Sequence, residues 1–177
     1  MSVSFKTALA SMILLAGSSS AVYAAGAGGG TVTFEGAIIE AACSIDPDSV
    51  DQTVKLGQVA KSQLEAGGNA SPEAFYIKLK GCDLASLTDK TVTTTFTGAA
   101  SAAVPGALGI VGDAQGAGIM MVDGSGTVIT LGTATIPQLL QDGNNTLTYS
   151  AYLKGAASGT ITPGEFTAVT NFSLAYQ

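Results

Sequence analysis

The chain has 177 residues, with 13 acidic and 7 basic side chains and a formal net charge of −6. A nucleic-acid-binding protein needs a basic face, so this composition excludes nucleic acid as a partner and also disfavours anionic membrane surfaces. The sequence has no histidine, which removes Ser–His and Cys–His nucleophilic sites and histidine general bases. We therefore expect no enzyme and no small-molecule cofactor.

The first 24 residues have the layout of a secretory signal peptide. Lys6 gives a positive start, an apolar run follows at 7–17, and small residues occupy the −3 and −1 positions, Val22 and Ala24. A membrane anchor would need roughly 20 continuous apolar residues, and this run is shorter. We predict cleavage after Ala24 and export, which leaves one domain's length of chain at 25–177.

A short strand pattern follows the predicted cleavage site. The glycine-rich stretch AGAGGG (25–30) precedes TVTFEGAI (31–38), in which alternate residues fall on one face, as in a β-strand. The residues of that face are Val32, Phe34, Gly36 and Ile38. From the pattern alone, this segment is either the first strand of its own sandwich or a strand that completes another molecule's fold.

Cys43 and Cys82 are the only cysteines. Export places them in an oxidising compartment, where a disulfide is the expected state, whereas a redox pair normally uses a close spacing such as C-x-x-C. Closing a loop of this length should stabilise the fold by roughly 4 kcal/mol in the chain-entropy model. With both thiols used in this way, zinc lacks its usual ligands, and we predict no metal site.

Seven further segments are rich in β-branched and aromatic residues and are separated by Gly, Asp, Asn or Pro clusters, which predicts strands. They are 52–56, 74–80, 91–97, 118–122, 127–131, 145–154 and 166–176. Only VAKSQLEAGG (59–68) favours a short helix or turn. Many short strands joined by turn residues indicate an all-β antiparallel sandwich.

Two other patterns could suggest a ligand. The acidic cluster DPDSVD (46–51) contains calcium-binding residue types, but its spacing matches no complete calcium loop. The glycine-rich stretch GDAQGAG (112–118) lacks the lysine and the following helix of a phosphate-binding loop. We interpret the first as turn residues and expect the second to be a mobile surface loop.

The last predicted strand alternates firmly between two faces. One face consists of Ala168, Thr170, Phe172, Leu174 and Tyr176. A single residue follows Tyr176, so we expect this strand to end at a free carboxylate.

The leader, the two cysteines and this tail together resemble the pilin subunits of the chaperone–usher pathway. The closest likeness is to the major rod subunits of P-pilus-type fimbriae, and it extends in order over essentially all of 25–177. The features that carry it are the F-x-G motif at 34–36, the separation of the cysteines, Gly164 as the fourteenth residue from the C-terminus, and the penultimate Tyr176.

The resemblance implies an incomplete immunoglobulin-like sandwich that lacks its final strand, with an N-terminal donor-strand extension at 25–42 and a pilin domain at 43–177. A periplasmic chaperone would first lend a strand to the gap. The leader of the next identical subunit would then replace that strand by donor-strand exchange at an outer-membrane usher. The donated face would be Val32, Phe34, Gly36 and Ile38, with Gly36 where the groove is narrowest; the groove and chaperone contacts would include Phe172, Leu174, Tyr176 and Gly164.

The function implied by the resemblance is that of a structural subunit of an adhesive surface fimbria, exported through the periplasm to the cell surface. The alternative is a minor adaptor or tip adhesin subunit of the same type of fimbria, which would bind a host receptor. A two-domain adhesin would need an additional receptor-binding domain, for which we expect no room in 25–177.

Overall fold

The computed structural model describes residues 30–177, and the predicted signal peptide at 1–24 lies outside the described residues. The chain divides into two units, Met1–Ala37 and Ile38–Gln177. In the first unit, residues 30–37 have no regular secondary structure, and the side chains of Val32 and Phe34 are 73% and 90% exposed. A β-strand requires a pairing partner, and residues 31–38 have none in the single chain, so they do not form the strand that their sequence pattern predicts.

The second unit contains the strands of the described chain, which pair antiparallel. Their order is β1-β2-β8-β6-β4 in a five-stranded sheet, β10-β3-β7 in a three-stranded sheet and β5-β9 in a small two-stranded sheet. The bounds are β1 Ser44–Ile45, β2 Glu73–Cys82, β3 Thr91–Gly98, β4 Leu108–Gly109, β5 Val111–Gly112, β6 Ala117–Asp123, β7 Gln138–Leu139, β8 Gly143–Gly155, β9 Phe166–Thr167 and β10 Thr170–Tyr176. The predicted all-β antiparallel fold is confirmed.

Helical structure is limited to short pieces. They are α1 (Pro47–Val50), α2 (Lys61–Leu64) and a 3₁₀ turn at Glu65–Gly67. Helix α2 confirms the helix or turn predicted at 59–68. Helix α1 was not predicted, although its sequence holds a start signal: the Asp46 side chain accepts a hydrogen bond from the backbone N–H of Asp48 at 2.9 Å, with proline at the first helical position.

The core combines the alternate residues of β2, β3 and β8. Its centre is an aromatic cluster in which the ring of Tyr149 lies 5.4 Å from Phe75 and 5.2 Å from Phe96. The Tyr149 hydroxyl is 2.7 Å from Thr94 Oγ1 and accepts a hydrogen bond from Gln138 Nε2 at 3.2 Å. Buried hydroxyls need such partners, so this pair of bonds fixes how the two larger sheets face each other.

Strand β6 is buried along nearly its whole length because both of its faces are covered. Ile119 and Met121 belong to the main core, whereas Met120 lies in a second small cluster with Val104 and Ala107. The segment that contains these last two residues therefore covers part of the outer face of the five-stranded sheet.

Two of the predicted strands are wrong. Segment 52–56 has no strand pairing, although Val54 and Leu56 alternate as half-buried residues that pack on the core. Segment 127–131 forms only an isolated bridge between Val128 and Val122. In segment 52–56 the sequence alternates because one side packs on the core, and a burial pattern of this kind does not require a hydrogen-bonded neighbour. Segment 127–131 bonds to β6 at two points, with the Ile129 N–H donating to the Met121 carbonyl and the Asp123 N–H donating to the Thr127 carbonyl, which is too short a pairing to count as a strand.

Two other expectations need correction. The stretch 112–118 is only partly a surface loop: it begins in β5 and ends in β6, and the exposed connection between them is bonded to the chain, with the backbone N–H groups of Asp113 and Ala114 donating to the carbonyl of Glu165. The strand predicted at 166–176 is divided, because β9 pairs with β5 whereas β10 pairs with β3.

Candidate functional site

Strand β10 forms one edge of the three-stranded sheet. It pairs with β3 along its whole length, from Thr170 opposite Gly98 to Tyr176 opposite Val92. Within residues 30–177, no strand pairs with the other side of β10. An edge of this kind presents a row of unpaired backbone N–H and C=O groups, which is a template for another strand.

The inward face of β10 is only half covered. Phe172, Leu174 and Tyr176 are half-buried, and the residues paired with them on β3 are Phe96, Thr94 and Val92, which are 0–1% exposed. Residues directly opposite each other in an antiparallel pair point to the same face of the sheet. The lower burial of the β10 residues therefore arises on the unpaired side of β10. There the apolar side chains of Phe172, Leu174 and Tyr176, here called the open strip, remain partly uncovered.

A second segment packs on the same core without a strand partner. Val54, Leu56 and Val59 are half-buried against the core cluster that Phe172 and Leu174 also contact. In the described part of the chain, no backbone–backbone hydrogen bond involves residues 53–59. This segment is a second stretch of the domain whose main chain has unused hydrogen-bonding capacity.

A surface pocket lies at the C-terminal end of β10. Its lining residues include Leu174, Tyr176, Glu40 and Asp83. Burial raises the pKa of the Tyr176 hydroxyl.

The predicted leader residues are solvent-exposed in the single chain. Ile38 is fully exposed and Val32 and Phe34 are largely exposed, and a Cβ atom added to Gly36 would have nothing within 4 Å. Exposed apolar residues at alternate positions are unusual in a folded monomer and favour a role in binding. Their role as the donated face stays a prediction.

Gly164 lies outside β10, ahead of β9. A Cβ atom at this position would be 2.7 Å from the backbone N of Ala114 and the Cβ of Asp113. The close approach of the chain to the turn at 113–114 therefore explains why a residue without a side chain is needed at position 164. A role in the groove or in chaperone contact stays a prediction.

The predicted disulfide is confirmed. Cys43 and Cys82 are bonded and buried, and Asn145 Nδ2 donates to Cys82 Sγ at 3.3 Å. Because Cys43 immediately precedes β1, the disulfide fastens the start of the domain to the end of β2.

The acidic cluster at 46–51 has a structural explanation. Asp46 forms an ion pair with Lys80 at 2.5 Å, and this hydrogen bond lowers the pKa of Asp46 and raises that of Lys80. Within residues 30–177, no group of three acidic or cysteine side chains is arranged to hold a metal ion. No helix in the same range is long and apolar enough to span a bilayer.

The sequence did not reveal the inward residues of β3 as part of the site. Val92, Thr94 and Phe96 pair with the open strip, and their alternation within TVTTTFT predicted a strand. Alternation shows which residues share a face, but it does not show which strand ends a sheet.

A β-sandwich with an open apolar edge and a disulfide at the start of the domain is the architecture of a structural fimbrial subunit. The chain belongs to the fimbrial protein family, whose family model, "Fimbrial protein", matches residues 32–177. It is 55% identical over 166 residues to Fimbria A protein of Serratia marcescens, covering 93% of this chain and 94% of that protein. It is 48% identical over 155 residues to Major MR/P fimbria protein of Proteus mirabilis, covering 87% of each.

Solved structures of pilus subunits also match the chain. The chain is similar to the P pilus rod subunit PapA, with a TM-score of 0.70 and 34% identity over 77% of this chain and 100% of that chain. It is also similar to the subunit of a chaperone–usher pilus studied for the molecular basis of rod uncoiling, with a TM-score of 0.77 and 36% identity over 86% and 98% of the two chains. Proteins of this family are structural pilins of surface fimbriae, which is not an enzyme class.

Proposed function

We propose that this protein is the major subunit of a surface fimbria and polymerises by donor-strand exchange. Its leader, at 31–38, would bind along the open edge of β10 in the next copy, with the donated face Val32, Phe34, Gly36 and Ile38 turned to the core. A periplasmic chaperone would occupy the same edge before assembly, and an outer-membrane usher would receive the subunit. The relatives named as major fimbrial proteins support the main-subunit role.

The observation that carries the proposal is the contrast in burial between β3 and β10. Phe172, Leu174 and Tyr176 stay half-buried beside fully buried partners, so one more apolar strand would complete the core. The leader has exposed apolar side chains at alternate positions. One chain thus has both an edge, β10, that lacks a neighbouring strand and a leader, 31–38, that lacks a pairing partner. Pairing between the leader of one copy and β10 of the next would supply both.

The energetics favour a persistent contact. Burying Val32, Phe34 and Ile38 contributes roughly 5–9 kcal/mol at about 1.5–3 kcal/mol per side chain. Each backbone hydrogen bond to the β10 edge adds about 1 kcal/mol.

Deletion of 31–38 tests the proposal. We expect the truncated chain to be exported and to bind chaperone, because its own β10 edge is intact, but not to extend a filament. The measurement is copurification with the chaperone together with electron microscopy of the cell surface. Normal filaments from the truncated chain would overturn donor-strand exchange.

The main-subunit role has a separate test. Purified filaments, dissociated by heating in acid and separated on a denaturing gel, should give this chain as the dominant band. A trace band would instead assign it to the alternative role of a minor adaptor or tip adhesin.

A further inference from the structure

A surface pocket of about 370 Å³ borders the N-terminal half of β2. Residues of 48–55 line one side of it and residues of 73–78 line the other. Pockets that bind small molecules have volumes of roughly 300–1,000 Å³. No residue of β10 is among the lining residues, so this pocket is separate from the open strip.

The edge of β2 that faces the pocket has free backbone groups. The Lys78 N–H donates to Ser49 Oγ at 3.0 Å, and the Tyr76 carbonyl accepts from Gln52 Nε2 at 3.2 Å. Alternate residues of an antiparallel strand direct their backbone groups to the same edge, so the Tyr76 N–H and the N–H and C=O of Ala74 also face this edge. Within the described chain, no hydrogen bond from the neighbouring segment reaches these three groups.

Four charged side chains line the pocket, two of each sign. They are Lys55, Lys78, Asp48 and Glu73, and all four are exposed. The ion pairs formed in residues 30–177 involve other side chains, so none of these four has an ion-pair partner there. An ammonium group only donates hydrogen bonds and a carboxylate only accepts them. The pocket therefore offers strong donors and strong acceptors side by side.

The pocket also has an apolar component. Buried Phe75 and half-buried Val54 are among the lining residues, together with Tyr76, which is 45% exposed. A tyrosine side chain combines an apolar ring with a polar hydroxyl. Apolar and aromatic lining with a few polar groups is the usual composition of a small-molecule site.

We propose that this pocket binds a neutral saccharide unit. Each hydroxyl group of a sugar both donates and accepts hydrogen bonds, so one sugar ring can use the carboxylates, the ammonium groups and the free backbone groups of the pocket together. The C–H face of the ring can pack on the apolar lining. A cationic or anionic ligand would instead meet two side chains of its own sign, and the net charge of −6 further disfavours an anion.

The inference goes beyond the proposed function, because the pocket is complete in a single copy and does not use the leader. Polymerisation would multiply its effect. In a filament the same pocket would occur in every copy, and binding at many linked sites can exceed the affinity of one site by about 10²–10⁴. A pocket with weak affinity for one sugar would then hold a filament to a glycan-coated surface along its length.

Two charge-balanced double variants test the pocket. Lys55→Ala/Glu73→Ala removes one charge of each sign from the pocket, and Lys61→Ala/Glu65→Ala does the same at an exposed ion pair outside it. Equal amounts of filament are passed over surfaces coated with neutral glycans that end in galactose, glucose, mannose, N-acetylglucosamine or N-acetylgalactosamine. We expect at least one surface to retain wild-type and control filaments, and to retain the pocket variant about tenfold less, since charge-assisted hydrogen bonds are lost.

A third variant tests the pocket without changing its charge. Ala74→Phe adds a bulky side chain at an exposed lining position, and it should lower retention as the pocket double variant does. Any minor subunit in the filaments is the same in all preparations, so a difference between variants reports on this chain.

The outcomes that contradict the proposal are distinct. Wild-type filaments that no neutral glycan retains would overturn it, as would equal retention of the pocket and control double variants or wild-type retention of Ala74→Phe. Stronger retention on sialylated or sulfated glycans than on neutral ones would also overturn it, because the ligand would then be an anion. Failure of donor-strand exchange would be visible separately, as filaments formed by the 31–38 deletion.

Discussion

Two buried polar groups hold parts of the fold that apolar packing alone does not specify. The Tyr149 hydroxyl bonds with Thr94 and Gln138 between the sheets. The Asp123 carboxylate accepts hydrogen bonds from the backbone N–H groups of Ser125 and Thr127, both at 2.9 Å, and organises the turn after β6. Within residues 30–177, no buried side-chain N or O atom lacks a hydrogen-bond partner. Loss of the Tyr149 hydroxyl therefore leaves the buried Thr94 hydroxyl unsatisfied, whereas loss of the Asp123 carboxylate removes the acceptor that holds the turn.

Replacing Tyr149 by phenylalanine should therefore destabilise the subunit. Thr94 Oγ1 would lose its partner in the core, and an unsatisfied buried polar group costs about 1–3 kcal/mol. We expect purified Tyr149→Phe filaments to unfold at a lower guanidinium concentration than wild-type filaments, as measured by circular dichroism. Tyr76→Phe is the control because Tyr76 is exposed, and equal midpoints for Tyr149→Phe and wild type would contradict the assigned bond.

Asp123 should make the fold sensitive to acid. Burial alone would raise the pKa of Asp123, but hydrogen bonds from Ser125 and Thr127 outweigh burial and lower the pKa below 3.8. Because the folded pKa lies below the unfolded one, the stabilisation is complete above the unfolded pKa and is lost as pH falls through the folded pKa.

The measurement is the free energy of unfolding against pH. Asp123→Asn should be less stable than wild type at neutral pH, and the difference should shrink below about pH 3.8, the ordinary aspartate value. Asp113→Asn, which changes an exposed carboxylate, should follow the wild-type curve. A constant gap between Asp123→Asn and wild type across this pH range would contradict the role of the ionised carboxylate.

At the scale of the element, the leader can be tested without disturbing the domain. A Cβ atom at Gly36 meets nothing within 4 Å in the single chain, so Gly36→Leu should leave folding and chaperone binding unchanged. In a filled groove the same side chain would meet the acceptor core, and overpacking typically costs 1–3 kcal/mol. We expect slower polymerisation and fewer filaments from Gly36→Leu.

Ala37→Leu is the matched control because it adds the same leucine to the opposite face of the leader. Its rate of filament formation, measured from purified chaperone-bound subunits by electron microscopy and gel densitometry, should stay close to wild type. Equal inhibition by both substitutions would show that the leader does not present Gly36 to a groove.

The sequence predicted those strands whose alternate side chains pack in the core and whose backbone also pairs with a neighbouring strand. Segments 74–80, 91–97, 118–122 and 145–154 correspond to β2, β3, β6 and β8, the long strands whose alternate residues build the core. The short strands β1, β4, β5, β7 and β9 contain two residues each, which is too few for a periodic pattern. Their pairing depends on tertiary neighbours, and a sequence does not show those neighbours.

The site was predictable in its residues but not in its geometry. The alternation of Phe172, Leu174 and Tyr176 was visible in the sequence, and the structure places them half-buried on β10. That β10 ends a sheet, and that segment 53–59 packs on the same core without backbone pairing, required the three-dimensional arrangement. Gly164 shows the limit of this reasoning, because its position in the sequence did not reveal its packing against 113–114.

For the molecule as a whole, the disulfide determines how a subunit would transmit tension along a filament. Under the proposed donor-strand exchange, load enters each copy at the base of its leader and leaves along β10. The Ala42 carbonyl accepts a hydrogen bond from the Asp83 N–H, and the adjacent Cys43–Cys82 disulfide passes the load directly to β2, which pairs with the long strand β8. Residues 44–81 lie inside the closed loop and carry none of the load.

Without the disulfide, the same load would act on the weakest part of the domain. Strand β1 pairs with β2 through only two residues, and 53–59 has no backbone–backbone hydrogen bonds in the described chain. We expect Cys43→Ala/Cys82→Ala filaments to lengthen at lower force than wild type, each subunit releasing up to roughly 130 Å at about 3.4 Å per residue of the segment 44–81. Stretching single filaments in an optical trap measures this directly. Wild-type filaments whose disulfide is reduced after assembly should lengthen in the same way. If the variant or reduced filaments gave the same force–extension curve as untreated wild type, the prediction would be contradicted, because β1 and the segment after it would then bear the load without the disulfide.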